Sequence, residues 1–344
     1  MALVPSVVPL SVLDLAPVAE GQDVGAALGH SAELAVLAER LGFRRHWVAE
    51  HHNMPGIASS APAVLLAHLA AATSTIRIGS GGVMLPNHAP LVVAEQFGML
   101  EALHPGRVDL GIGRAPGTDP LTARALRRSE LPLGADEFPQ QLGELFGYFG
   151  GFPDDHPLRA VRAVPGLGHR PEIWLLGSSD YSAQVAGLLG LPFAFAHHFS
   201  AVNTGPAVDA YRRRFRPSDH LAEPHLLIAA SVVCAPTDEE ARHIARAGDL
   251  AFVRLREGRP GRFPSPEEAA AHVFSPREEA LLATRTSGQV VGDPGRVLEG
   301  LRQLVEQTGA AELMITTLVH GHADRLRSYE LIAAEVERDE RGAA

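Results

Sequence analysis

Short apolar runs alternate along this chain with longer stretches whose apolar positions recur every three to four residues. That alternation predicts successive strand–helix units on a parallel sheet. Val7 to Leu15 is the first run, and a helical pattern from Val24 to Leu41 follows it and stops at Gly42. The same reading gives strands at His46 to Glu50, Ile76 to Met84 and Val108 to Ile112, with helices over Ala61 to Ala72 and Leu91 to Leu103. Pro105-Gly106 closes the last of these helices. Gly113 to Glu137 reads as an irregular excursion before a helix that ends near Gly150.

The second half repeats the pattern. Strands are expected at Glu172 to Leu176, Phe193 to Ala196, Leu226 to Cys234 and Leu313 to Thr317. Helices are expected over Ser179 to Leu189, Val208 to Phe215, after Thr237, over Pro294 to Gln307 and over Asp324 to Glu337. The stretch from Glu257 to Ser287 is rich in Arg, Glu and Pro and reads as a long insertion or mobile lid within a single domain spanning residues 1–344. Eight strand–helix units fit an α/β fold of the (β/α)8 TIM-barrel type with insertions. A doubly wound sheet would need a glycine-rich turn after the first strand, and Leu13-Asp14-Leu15-Ala16-Pro17 is not one.

Composition removes several chemistries. The chain has 344 residues and a formal net charge of −10, and its longest basic block is Arg212-Arg213-Arg214, so neither nucleic acid nor an anionic membrane is an expected partner. All 30 basic residues are arginine. Schiff-base, pyridoxal phosphate and phosphate-loop chemistry, all of which need a lysine amine, are thereby excluded. The single cysteine, Cys234, lies in an apolar run and reads as a core residue; it leaves no thiol for a disulfide framework or an iron–sulfur site. Pro5 and Pro9 interrupt the apolar N-terminal stretch, which lacks a basic region, so the cytoplasm is the expected compartment.

In such barrels the chemistry sits at the C-terminal strand ends. Those ends read Asp14, Glu50-His51-His52-Asn53, Ser80-Gly81-Gly82, Gly111 to Arg114, Gly177-Ser178-Ser179, His197-His198, Ser231 and Thr316-Thr317. The set is rich in Gly, Ser, His and Arg and poor in carboxylates, which suits an anionic planar ligand better than a metal. Gly177-Ser178-Ser179-Asp180-Tyr181-Ser182 opens a helix, and serves as a plain N-cap or as a phosphate cradle. Arg114, at the end of the neighbouring strand, can take a phosphate bidentately and favours the cradle. Gly111 and Gly113 bare one face of their strand, either for a flat ring or to relieve barrel crowding. His51 and His52 point apart on extended chain, so one of them facing the mouth as a proton-transfer group is the sharper reading.

Trp47-Val48-Ala49-Glu50-His51-His52-Asn53-Met54-Pro55-Gly56 resembles the bacterial luciferase-like flavin-dependent monooxygenases, whose second strand likewise ends in Glu-His-His. Ile78 to Pro90, Pro105 to Gly117, Ile173 to Ser182 and Val290-Val291-Gly292-Asp293-Pro294 agree with the family in order. The resemblance implies reduced FMN supplied by a separate reductase, O2, a small apolar organic substrate such as an aldehyde, and a homodimer through the helices at 61–72 and 91–103. It assigns proton transfer to His51. The FMN site would comprise Ser80, Gly81, Arg114, Gly177, Ser178, Ser179 and Ser182, and the substrate pocket His52, His88 and His197. It also places a non-proline cis peptide near Ser80-Gly81. Light-emitting members carry a cysteine where Gly113 stands here, so light emission is not implied. Two other roles known in the superfamily are a deazaflavin (F420)-dependent oxidoreductase and a flavin-binding protein without turnover.

Overall fold

The structure, a computed structural model, describes residues 8–127 and 137–343. The Val7 end of the first predicted run and residues 128–136 of the predicted excursion lie outside the described residues. Strands β1 (Leu10–Asp14), β2 (Arg45–Val48), β3 (Arg77–Met84), β4 (Val108–Gly113), β5 (Glu172–Gly177), β6 (Phe193–Phe195), β7 (Leu226–Cys234), β8 (Gln289–Gly292) and β9 (Glu312–Thr316) are all parallel. Neighbours pair in chain order from β1 to β7, then β7 pairs β9 and β9 pairs β1, which closes an eight-stranded barrel.

β8 is the strand that the apolar pattern did not predict. It pairs only with Ser231 to Cys234, past the point where β7 leaves β9, so it extends the barrel wall upward and is not a stave of the barrel.

Helices α1 (Val24–Arg40), α2 (Pro62–Ala72), α3 (Pro90–Leu103), α4 (Pro120–Arg127), α5 (Phe138–Gly150), α6 (Asp180–Leu189), α7 (Thr204–Arg214) and α8 (Asp238–Arg256) come in order outside the strands. The 257–287 stretch holds two short helices, α9 (Pro266–Ala271) and α10 (Pro276–Thr286). Each opens on a serine that accepts from the backbone N–H three residues on, and Ser275 forms a full capping box with Glu278. α11 (Pro294–Thr308) is capped by Asp293, and α12 (His322–Ala343) is the last helix.

Two apolar layers result. Val12, Ile78, Leu110, Ile173 and Ile315 face outward into the helix-lined core. Leu13, Trp47, Trp174, Leu227 and Met314 fill the barrel interior, where the two indoles meet edge to face at 5.3 Å. Below them the barrel floor is ionic. The buried guanidinium of Arg45 pairs with Asp109 at 2.9 Å and Glu312 at 2.8 Å, and Trp47 Nε1 donates to Asp109 at 2.8 Å. These groups lie at the N-terminal strand ends, so they plug the bottom and leave the opposite end for chemistry.

Glycine is demanded at Gly111 by the sheet itself. A Cβ there would lie 2.1 Å from the Ser80 carbonyl oxygen and 2.8 Å from Leu176 Cδ1. At Gly113 the obstruction would be the flexible Met84 side chain, at 2.7 Å. Of the two sequence-level explanations for these glycines, barrel crowding accounts for Gly111. The non-proline cis peptide is Gly81-Gly82, one residue beyond the position the resemblance implied. Cys234 is buried as expected: burial pushes its thiol up to about 12, which leaves it a poor nucleophile.

Candidate active site

β2 ends on three consecutive polar residues that the fold sends in different directions. Glu50 is fully buried. Its Oε1 accepts from His52 Nε2 and His88 Nε2, both at 2.9 Å, and from Asn87 Nδ2 at 3.4 Å; its Oε2 accepts from the Met84 N–H at 3.0 Å. Burial works against its charge, and the hydrogen bonds from His88, His52 and Met84 outweigh it and hold the carboxyl below the usual range. Glu50 therefore ties the end of β2 to the end of β3 and to the turn after it. His52 and His88 meet at this carboxylate and are not among the residues lining the cavity described below.

His51 turns the other way. Its Nδ1 lies 3.2 Å from the Gly117 carbonyl oxygen. Gly117 has φ +65°, and a Cβ there would sit 2.7 Å from the Glu50 carbonyl oxygen, so only glycine lets this turn press against the end of β2 and present its own carbonyl. With Nδ1 donating to Gly117, Nε2 keeps a lone pair. Burial depresses the imidazole's pKa, so the neutral form prevails at pH 7. His51 lines a cavity of about 470 Å3 over the barrel mouth. Leu15, Ile57, Phe252, Phe263 and Leu318 form its apolar wall, and Ser231, Thr316 and His198 are among its polar residues. Thr316 Oγ1 is buried without a hydrogen-bond partner among the described residues. His198 Nδ1 bonds the Ala229 carbonyl at 3.0 Å, and burial lowers the ring to about 4. His197 instead spends its Nδ1 on Thr204 Oγ1 at 2.8 Å.

The residues expected to hold a phosphate come from two neighbouring strand–helix units. Arg114 follows β4, and its guanidinium lies 4.1 Å from the centroid of the Tyr181 ring, which belongs to the first turn of α6. No carboxylate pairs with Arg114 among the described residues. Ser179 is the N-cap of α6 in extended conformation, yet its side chain makes no capping bond, so its hydroxyl and the first-turn N–H groups are uncommitted. Ser182 is buried against the strand end, where a Cβ at Gly177 would meet its Cβ at 2.7 Å, while Ser178 is exposed. Tyr181, which lies between Ser179 and Ser182 in the chain, is the contact that links Arg114 to the start of α6. Ser80 does not join them: its hydroxyl donates to the Gly111 carbonyl at 2.9 Å inside the sheet. Gly81 is half-buried in the middle of the same strand, where the β3–β4 register shifts.

Asp14, another strand-end residue, is unavailable. Arg325 Nη2 and the Ala16 N–H occupy its Oδ1 at 2.5 and 2.6 Å. Among the described residues no group of three or more His, Cys, Asp or Glu is arranged to hold a metal ion. Tyr181, Gly117, Arg285 and Phe252 were not singled out by sequence reasoning. Tyr181 stood inside the quoted helix-opening motif, and the glycine after Ala115-Pro116 was the only local signal for Gly117.

The barrel mouth thus carries an apolar cavity faced by His51 and, at a neighbouring helix start, the Arg114–Tyr181 contact. The family model described as luciferase-like monooxygenase matches residues 8–312, and the chain belongs to that family. It is 46% identical over 325 residues to a luciferase-like monooxygenase of Escherichia coli (strain K12), covering 94% of this chain and 96% of the other. It is 38% identical over 332 residues to the N-acetyl-S-alkylcysteine monooxygenase of Bacillus subtilis, covering 95% and 98%. The crystal structure of apo-MsnO8 superposes with a TM-score of 0.88 at 41% identity, covering 96% and 98%. At 20% identity, the oxygenating component of 3,6-diketocamphane monooxygenase from Pseudomonas putida, solved with FMN, shares the fold with a TM-score of 0.71, covering 96% and 98%. No helix among the described residues is long and apolar enough to cross a membrane.

Proposed function

We propose that this protein is an FMN-dependent monooxygenase that uses reduced FMN and O2 on a small apolar organic substrate, of which an aldehyde is the simplest case. The observation that carries the reading is the Arg114–Tyr181 stack, which brings a guanidinium that meets no carboxylate among the described residues to the same helix start as Ser179, whose hydroxyl makes no capping bond. Together they suit a phosphate monoester: the guanidinium in bidentate contact, with Ser179, Ser182 and the first-turn amides of α6 completing the shell. The neighbouring cavity of about 470 Å3, where Thr316 Oγ1 has no partner among the described residues, has room and an open hydrogen bond for a further ligand. The FMN complex of the diketocamphane enzyme supports the choice of cofactor.

Bound reduced flavin would supply the electrons that activate dioxygen. His51, neutral and held through Nδ1 by Gly117, would accept or return a proton at Nε2. Glu50 fixes the chain on either side of it without touching the reacting atoms. We read the 257–287 segment as a lid, because its Pro260, Phe263 and Arg285 already line the cavity. A separate reductase would deliver the reduced flavin. The exposed Val64, Val92, Met99 and Leu103 on α2 and α3 support a homodimer through that face.

The test is to mix the protein with chemically reduced FMN, O2 and decanal, and to follow aldehyde loss and peroxide together. The proposal expects stoichiometric conversion of decanal, or of another apolar substrate from a small panel. Peroxide release with no organic turnover across a panel that holds both neutral apolar molecules and medium-chain carboxylates refutes it.

A further inference from the structure

The cavity's charge runs against that of the whole chain. The protein carries a formal net charge of −10, yet Arg254, Arg256, Arg262 and Arg285 all line the cavity and no Asp or Glu lines it. Two of these cations are neutralised from behind. Arg254 pairs with Glu268 at 2.6 Å, and Arg285, on α10, pairs with the half-buried Asp249 of α8. The other two are not: among the described residues neither Arg256 nor Arg262 meets a carboxylate. Arg256 lies over the Phe252 ring at 5.1 Å, and Arg262 Nη1 donates to the Gln22 carbonyl at 2.6 Å.

Neither cavity histidine competes for this role, since burial lowers both His51 and His198 and keeps them neutral at pH 7. The flavin phosphate does not account for the arginines either. Arg114, Ser179 and Tyr181, the corner assigned to it, are absent from the cavity lining. Two exposed guanidinium groups that meet no carboxylate among the described residues, set above an apolar wall, make a receptor for an amphiphilic anion.

We propose that the organic substrate carries a carboxylate, held at the cavity rim by Arg256 and Arg262, with its apolar body against Phe252, Phe263 and Leu318 and its reacting end toward His51. This assignment rests on the reading of the cavity as the substrate site, and deepens it by naming the substrate class. The anion then stands remote from His51, and the carboxylate sets the depth to which the molecule enters.

The experiment compares decanoate with decan-1-ol, equal in length and differing in charge, as ligands of the FMN-loaded protein and of an R256Q/R262Q double variant. FMN affinity is measured separately for both proteins before any probe is added. Decanoate is expected to bind the wild type at least about ten-fold more tightly than the alcohol. The double variant should lose that preference while holding decanol and FMN within about two-fold, and raising salt from about 0.05 M to about 0.5 M should weaken decanoate alone. Equal binding of the two probes, or a preference that survives in the double variant, overturns the proposal. So does a parallel loss of FMN affinity in the variant, which would assign the rim to the cofactor. If FMN fails to bind while the decanoate preference stands, the flavin reading alone is lost.

Discussion

Replacing Glu50 by glutamine tests whether a single buried carboxylate organises the catalytic end of β2. Glu50→Gln preserves the volume and removes the charge. With the glutamine oxygen in the Oε1 position, His52 and His88 keep an acceptor at 2.9 Å, but the new NH2 group faces the Met84 N–H, now 3.0 Å from a second donor. A hydrogen bond to a charged group contributes about 1.5–3 kcal/mol, and a buried unsatisfied donor costs about 1–3 kcal/mol. His52 and His88 keep some contact with solvent, so water takes up part of the loss. We therefore expect a destabilisation of about 2–4 kcal/mol. In a protein of this size that corresponds to a fall in Tm of about 3–6 °C.

The sign of the pH dependence follows from the depressed carboxyl. Its stabilisation is fully present above the unfolded-state value of a glutamate and is lost as pH falls through the lower folded value. The gap between wild type and variant, read by circular dichroism melts, should be widest at pH 6–8 and close in acid. A difference under about 0.5 kcal/mol at pH 7, or a gap that grows in acid, would refute the reasoning.

His51→Ala should lower kcat by about 10²–10⁴-fold while leaving FMN affinity within about two-fold; an unchanged rate removes His51 from proton transfer. Because burial depresses His51, the acidic limb of kcat/KM attributable to it should fall below the ordinary histidine value, and a limb above that value would contradict the assignment. Gly111→Ala places a Cβ 2.1 Å from the Ser80 carbonyl and should destabilise the barrel by about 1–3 kcal/mol or more in denaturant titrations, where a neutral result would mean the β3–β4 pair yields easily.

Much of this architecture was legible in the chain. The order of the eight barrel strands follows from apolar runs, because a parallel stave buried on both faces reads as a continuous apolar stretch. β8 escaped because Gln289 to Gly292 is a short pairing on the far end of β7, and its four residues read as the approach to a helix. The 257–287 stretch reads as a long insertion on composition, yet Ser265-Pro266-Glu267-Glu268 and Ser275-Pro276-Arg277-Glu278 are local helix starts. At the site, Arg114, Ser179 and His51 were legible from strand-end position. Their partners were not: Tyr181 meets Arg114 across 67 residues, and Glu50 collects His88 across 38, contacts that the pairing of neighbouring strands creates. Ser80, equally placed in the chain, donates instead to the Gly111 carbonyl of the adjoining strand β4.

The central claim is tested most directly by the affinity of Arg114→Ala for FMN and for riboflavin, measured side by side by quenching of flavin fluorescence. The account predicts that FMN affinity falls about 10–150-fold, the equivalent of about 1.5–3 kcal/mol of charge-assisted bonding, while riboflavin, which lacks the phosphate, changes by less than about two-fold. Equal losses for the two flavins, or an FMN affinity that does not move, would contradict it.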